Sequence, residues 1–273
     1  MARRIRPRDV EVSALTFGTL RLNRAGDVRA ASDLIRLAIE LGVSTFHVST
    51  EYETWPLFLA AWRRLPSSLT GEVKFMAKVA APHFGEAGFD PLAFRTKIDG
   101  YRHDLAADRL DVVQWLLRSD LNDEKARAEI FDRDGELIGA TVDALREAGV
   151  IRSLISFPYT RPIAGRALAA SWCDGLALYC NPLELETIDL MDRAGSAGKT
   201  VVALRPFAAG RVFAETRVTG DDAVSFPLAH AAVASVVASL SSADHLRTAV
   251  SAAARANGEW PGRLAALRRT GHV

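Results

Sequence analysis

The chain has 273 residues, with 34 Lys plus Arg against 33 Asp plus Glu, and is 49% hydrophobic and 25% charged. This balance excludes a disordered or collagen-like chain, and a net charge of +1 without a block of like charge excludes an electrostatic footprint for nucleic acid or an anionic membrane. Length alone admits either two ordinary domains or one large α/β domain.

The start, MARRIRPRDV, is basic but no apolar core of a signal peptide follows it, so a cytoplasmic protein is expected. The first short β-type run is ALTFGT, Ala14 to Thr19, followed by VRAASDLIRLAIELG, whose Ala31, Leu34, Ile35, Ala38 and Leu41 share a helical face ending at Gly42. STFHVS, Ser44 to Ser49, is the second strand, TWPLFLAAWRRL a helix with Pro56 in its first turn, and VKFMAKVA the third strand. A loop with Pro82 and Gly85 and a helix from about Pro91 to His103 lead to LDVVQWLL, an unbroken apolar run that suits a strand covered on both faces. ELIGATVDALREAG is then a helix, IRSLISF a strand, GRALAASW a helix, GLALYC a strand, and LELETIDLMDRAGSAG a helix. KTVVALRPF, a short helix FPLAHAA, VASVVAS and the helix ADHLRTAVSAAARA complete the alternation. Eight such units require parallel strands with crossover helices, and eight close into a single (β/α)8 barrel spanning residues 1–273 as one domain, with a short Arg-rich tail from about Gly258 packed beneath it or fraying.

Several patterns carry no site. The stretch Ser225 to Leu240 is too weakly apolar, and too interrupted by Pro227 and His230, to span a membrane. Cys173 and Cys180 match no ligand spacing and read as reduced core thiols. GSAGKT, Gly195 to Thr200, imitates a phosphate loop but has Arg193 where the first glycine belongs and precedes a strand. No metal motif is present, and His83, His103, His230 and His245 read as surface or loop residues.

Chemistry is expected at the C-terminal ends of the strands. Three polar residues converge there: His47 in the second strand, Tyr52 in the loop beyond it, and Lys78 in the third strand. A buried lysine beside a tyrosine lowers the cost of the phenolate, which is acid–base machinery. The alternative is that Lys78 reaches the barrel rim and His47 is a hydrogen-bonded core residue. The neighbouring loops add Glu51, Trp55, His83 and Trp115, a mixture suited to a small polar carbonyl or a sugar as a small-molecule substrate.

The blocks VSALTFGTLRL, IRLAIELGVSTFHVSTEY, KFMAKV, LDVVQWLL, EAGVIRSLISF, LALYCNPLE, VVALRPFAAGRV and VASVVASLSSADHL resemble, in order and over Val12 to about Val250, those of the aldo-keto reductases. The resemblance implies a (β/α)8 barrel that reduces carbonyls with NADP or NAD as the nicotinamide cofactor. Of the family's catalytic tetrad, Tyr52 and Lys78 match, whereas His47 stands at the Asp position and Leu116 at the His position. The positions that hold the carboxamide read Ser156, Phe157 and Ala177; the stacking aromatic is Leu204, the phosphate loop is Ser239 to Ser242, and the adenine-contacting Asn is Ala249. Ser156, the turn containing Arg205, Pro206 and Gly210, and the Ser241–Ser242 pair remain as cofactor contacts, with Trp55, His83 and Trp115 on the substrate side. The expected activity is a divergent NAD(P)H-dependent reductase with Tyr52 as proton donor, Lys78 as its electrostatic partner and His47 orienting Lys78. An isomerase, epimerase or lyase using the same three groups, and a non-catalytic binding barrel, are the alternatives. Oligomeric state is not legible.

Overall fold

The computed structural model describes residues 2–6, 8–118, 123–256 and 262; the expected tail thus lies outside the described residues except for Gly262. An antiparallel hairpin, β1 (Ala2–Ile5) and β2 (Val10–Ser13), precedes eight parallel strands. These are β3 (Leu15–Gly18), β4 (Thr45–Val48), β5 (Lys74–Ala80), β6 (Leu110–Leu116), β7 (Ile151–Ser156), β8 (Gly175–Tyr179), β9 (Thr200–Leu204) and β10 (Val233–Ala238), and they close in chain order, β10 pairing with β3, into one (β/α)8 barrel.

The surrounding helices are α1 (Val28–Glu40), α2 (Trp55–Trp62), α3 (Ser67–Thr70), α4 (Pro91–Leu105), α5 (Glu124–Glu147), α6 (Arg161–Ala169), α7 (Ile188–Ser196), α8 (Arg211–Glu215), α9 (Gly220–Leu228) and α10 (Ala243–Arg255). Several of their starts are set by side-chain caps. Asp27, Asp90, Asp123 and Ser242 each accept a hydrogen bond from a backbone N–H in the first turn, replacing partners the helix itself lacks. The Asp123 cap starts α5 well before the expected ELIGATVDALREAG. In contrast, α7 begins only at Ile188, because Asn181 bonds the Glu184 carboxylate at 2.6 Å and the Arg205 carbonyl at 3.0 Å and holds Asn181 to Glu184 in a turn.

Two apolar layers result from the strand alternation. Phe46, Phe75, Val113, Trp115, Leu154 and Leu176 point outward and pack under the helices. Met76, Val112, Ile155, Ala177, Val202 and Ala234 point inward, and Ile5, Val10 and Val12 of the hairpin join them. The hairpin was not expected from the sequence. It runs directly into β3 and closes the N-terminal end of the barrel with side chains, leaving chemistry to the opposite end. The cysteines are buried free thiols, as expected, with burial pushing Cys173 up to about 11 and Cys180 up to about 12. Gly195 to Thr200 spans the end of α7 and the turn into β9. Among the described residues no helix is long and apolar enough to cross a membrane, and no cluster of His, Cys, Asp and Glu is arranged to hold a metal.

Candidate active site

At the C-terminal end of the barrel lies a cavity of about 850 Å³, within the range of small-molecule and cofactor sites. Its inner wall follows from strand alternation. Lys78 on β5 is in register with Gln114 on β6, and His47 lies on β4, so all three face inward at neighbouring heights. Leu116, two residues beyond Gln114, lines the same cavity.

His47 is buried, and its Nε2 lies 2.8 Å from Gln114 Oε1. Because a carbonyl oxygen only accepts, this pairing places the proton on Nε2 and leaves Nδ1 as an acceptor. The Tyr52 hydroxyl lies 3.4 Å from that Nδ1 and donates to it. Burial pushes the His47 pKa down to about 4, with the Lys78 charge acting in the same direction and the Gln114 hydrogen bond opposing, so the imidazole is neutral near pH 7.

Lys78 differs from the expectation. Its Nζ lies 2.7 Å from Glu51 Oε2 and 5.4 Å from the centre of the Tyr52 ring, so Glu51, not His47, orients it. Burial pulls the Lys78 pKa down and the Glu51 hydrogen bond and charge partly restore it. For Glu51 burial acts upward, but the Lys78 and Arg118 bonds and charges outweigh it and hold the carboxyl below its usual range. Burial likewise dominates at Tyr52 and pushes its phenol well above the usual value. In the resting site the Lys78 charge is shared with Glu51, and Tyr52 is a neutral donor.

Glu51 joins β4 to the loop after β6. Arg118 Nη1 bonds both its carboxylate oxygens at 2.9 Å, and His83 Nε2 lies 3.3 Å from Oε1. Arg118 also donates through Nε to the Tyr159 hydroxyl at 2.7 Å and lies 5.2 Å over the Phe84 ring. Phe157, Tyr159 and Tyr179 form an aromatic wall with ring centres 5.0 and 5.3 Å apart.

The other expected contacts divide. Arg205, Pro206, Gly210 and Ser241 line the cavity, with Ser239, His245 and Thr248 beside them. Arg205 and Gly210 sit at positive φ, 57° and 102°, which aims the turn after β9 at the cavity, and Arg205 lies 4.6 Å over Tyr179. Ser242 is not part of the lining; its hydroxyl caps α10 by accepting from His245 N. Ser156 is also absent from the lining, because inward Ile155 on β7 leaves the next residue facing the helices, where its hydroxyl is buried without a partner among the described residues.

Trp115 alternates with inward Gln114 and Leu116, so it faces outward, bonds the Ala81 carbonyl at 2.6 Å and packs on Phe131 and Trp172. Trp55, the first residue of α2, packs on Phe58 and Tyr101. Neither tryptophan reaches the cavity. His245, exposed on α10, does, and His230, at the bend between α9 and β10, is buried with its Nε2 3.0 Å from Asp192. Gln114, Arg118, Tyr159, Tyr179, Arg21 and Arg24 line the site without having been singled out. Gln114 carried a usable signal, being the one polar residue two positions before Leu116 in an apolar strand.

No family model and no curated protein sequence matches this chain. Solved structures do. The aldo-keto reductase AKR11C1 from Bacillus halodurans in its holo form superposes with a TM-score of 0.77 at 20% identity, covering 97% of this chain and 95% of that one. An aldo-keto reductase structure from Pseudomonas aeruginosa matches with a TM-score of 0.71 at 21% identity over 94% and 96% of the two chains. A structure named as a 2,5-diketo-D-gluconic acid reductase B matches with 0.71 at 18% identity over 98% and 91%. Across nearly its whole length, this chain has the fold of the aldo-keto reductases.

Proposed function

We propose that the protein is an NAD(P)H-dependent oxidoreductase that reduces the carbonyl group of a small polar or sugar substrate, with Tyr52 as the proton donor. One observation carries the reading: the Tyr52 hydroxyl, backed by His47 and Gln114, faces the same cavity that extends to the start of α10.

The residues fit a dinucleotide at its phosphate end. The first N–H groups of α10, Ser241, His245 and the guanidinium groups of Arg21, Arg24 and Arg205 offer donors and positive charge there. At the ring end, Phe157, Leu204 and Val237 provide apolar surface in place of carboxamide partners. When bound, the nicotinamide supplies a hydride to the carbonyl carbon.

The chain's own residues manage the proton. Tyr52 gives its proton to the carbonyl oxygen, and the phenolate that results must be stabilised. Lys78, above the ring, supplies positive charge to it. His47, with its proton on Nε2 toward Gln114, orients the Tyr52 hydroxyl through Nδ1 before the transfer. Glu51 holds Lys78 in place.

Fluorescence titration with NADPH tests the reading. Three missing ring contacts at about 1 kcal/mol each weaken binding roughly 100-fold, so saturation with a dissociation constant of tens of micromolar is expected. Absence of saturable binding up to about 1 mM would overturn it.

A further inference from the structure

Among the described residues the cavity lining contains Arg21, Arg24, Lys78, Arg118 and Arg205 and no Asp or Glu. The carboxylates that reach these cations from outside the lining are Glu51, shared by Lys78 and Arg118, and Glu184, 3.5 Å from Arg205. Arg21 and Arg24, on the turn after β3, have no ion-pair partner among the described residues and lie next to the strand that leads into α10. Their charge lies toward the end where a dinucleotide's phosphates would be held. Among the described residues one positive charge remains unmatched at the other end, where Lys78 and Arg118 share the Glu51 carboxylate.

From this imbalance we infer that the carbonyl substrate carries a carboxylate, held by Arg118. The inference rests on the oxidoreductase reading and deepens it. The Arg118 side chain is only 13% exposed, and its Nε and Nη1 are fixed by Tyr159 and Glu51. Its Nη2 has no partner among the described residues and belongs to a side chain that lines the cavity. A planar guanidinium anchored through two of its nitrogens, with the third unpaired among the described residues, presents a preorganised donor to a carboxylate. Phe84 lies beneath it and the Phe157–Tyr159–Tyr179 wall beside it, giving surface for the substrate's carbon body. Short contacts from Arg118 to Glu51, Glu51 to Lys78 and Lys78 to the Tyr52 ring put the anion holder near the proton donor without contact between them.

The test has a cofactor-free arm and a turnover arm. In the first, 4-formylbenzoate and its uncharged methyl ester are titrated by isothermal calorimetry into the wild-type protein, Arg118→Met and Arg118→Lys, with circular dichroism confirming the fold of each. The acid is expected to bind at least about 30-fold more tightly than the ester, the preference vanishing in Arg118→Met and surviving in part in Arg118→Lys. Equal binding of acid and ester, or a preference unchanged by Arg118→Met, overturns the inference. In the second arm NADPH oxidation is followed with both aldehydes. Arg118-dependent binding of the acid without oxidation supports the carboxylate site while contradicting the reductase reading. Oxidation that favours the ester, or that does not discriminate, contradicts the carboxylate site while supporting the reductase reading.

Discussion

His47 differs from a carboxylate in one respect that governs the site: buried against Gln114, it carries no charge at neutral pH. Lys78 therefore needs a carboxylate from elsewhere, and Glu51, immediately before Tyr52, provides it. The neutral state sets the pH behaviour. With a folded-state pKa of about 4, His47 should leave the kcat/KM of carbonyl reduction level from about pH 5 to 8, and His47→Ala should lower turnover about 100-fold. A limb near pH 6.5 that disappears in His47→Ala would contradict this assignment. Stability follows the same titration. Between about pH 4 and 6.5 the unfolded chain binds the His47 proton and the folded protein does not, so this residue makes stability fall as the pH drops through that window, by at most about 3 kcal/mol. Tyr52 and Lys78 were legible from their residue types and spacing, but their partners were not, since loop conformation decides which neighbour of Tyr52 reaches Lys78.

The strands were legible because alternation and unbroken apolar runs are imposed by burial, whereas the facing of individual residues required the register. Trp115 and Ser156 show the cost of omitting it: each lies one residue from an inward position and so faces the helices. The hairpin was missed because VEVS offers only one cycle of alternation beside an arginine-rich start, although its Val10 and Val12 fill the barrel end. Pairing at the strand level also explains Gly175. A Cβ there would collide with the Thr200 carbonyl oxygen, which is backbone of β9 and has nowhere to move without parting the strands. Gly175→Ala should cost about 2–3 kcal/mol, read as a shift of about 1 M in the urea midpoint. An unchanged midpoint would show that β8 and β9 are less closely joined than their register implies.

At the scale of the whole molecule, the hairpin fills one end of the barrel and the cavity opens at the other, bringing cation-rich loops and Tyr52 around one space. The fold accounts for where these groups meet, and the charges account for what they attract. The central claim joins Tyr52 to hydride chemistry in that space. Its most direct measurement is NADPH consumption with a panel of small aldehydes and keto acids, comparing the wild-type protein with Tyr52→Phe and identifying the alcohol formed. The account predicts alcohol in step with NADPH oxidised, and a loss of at least about 100-fold in kcat for Tyr52→Phe while NADPH still binds. Alcohol formation at an undiminished rate in Tyr52→Phe, or NADPH binding without alcohol from any member of the panel, would contradict it.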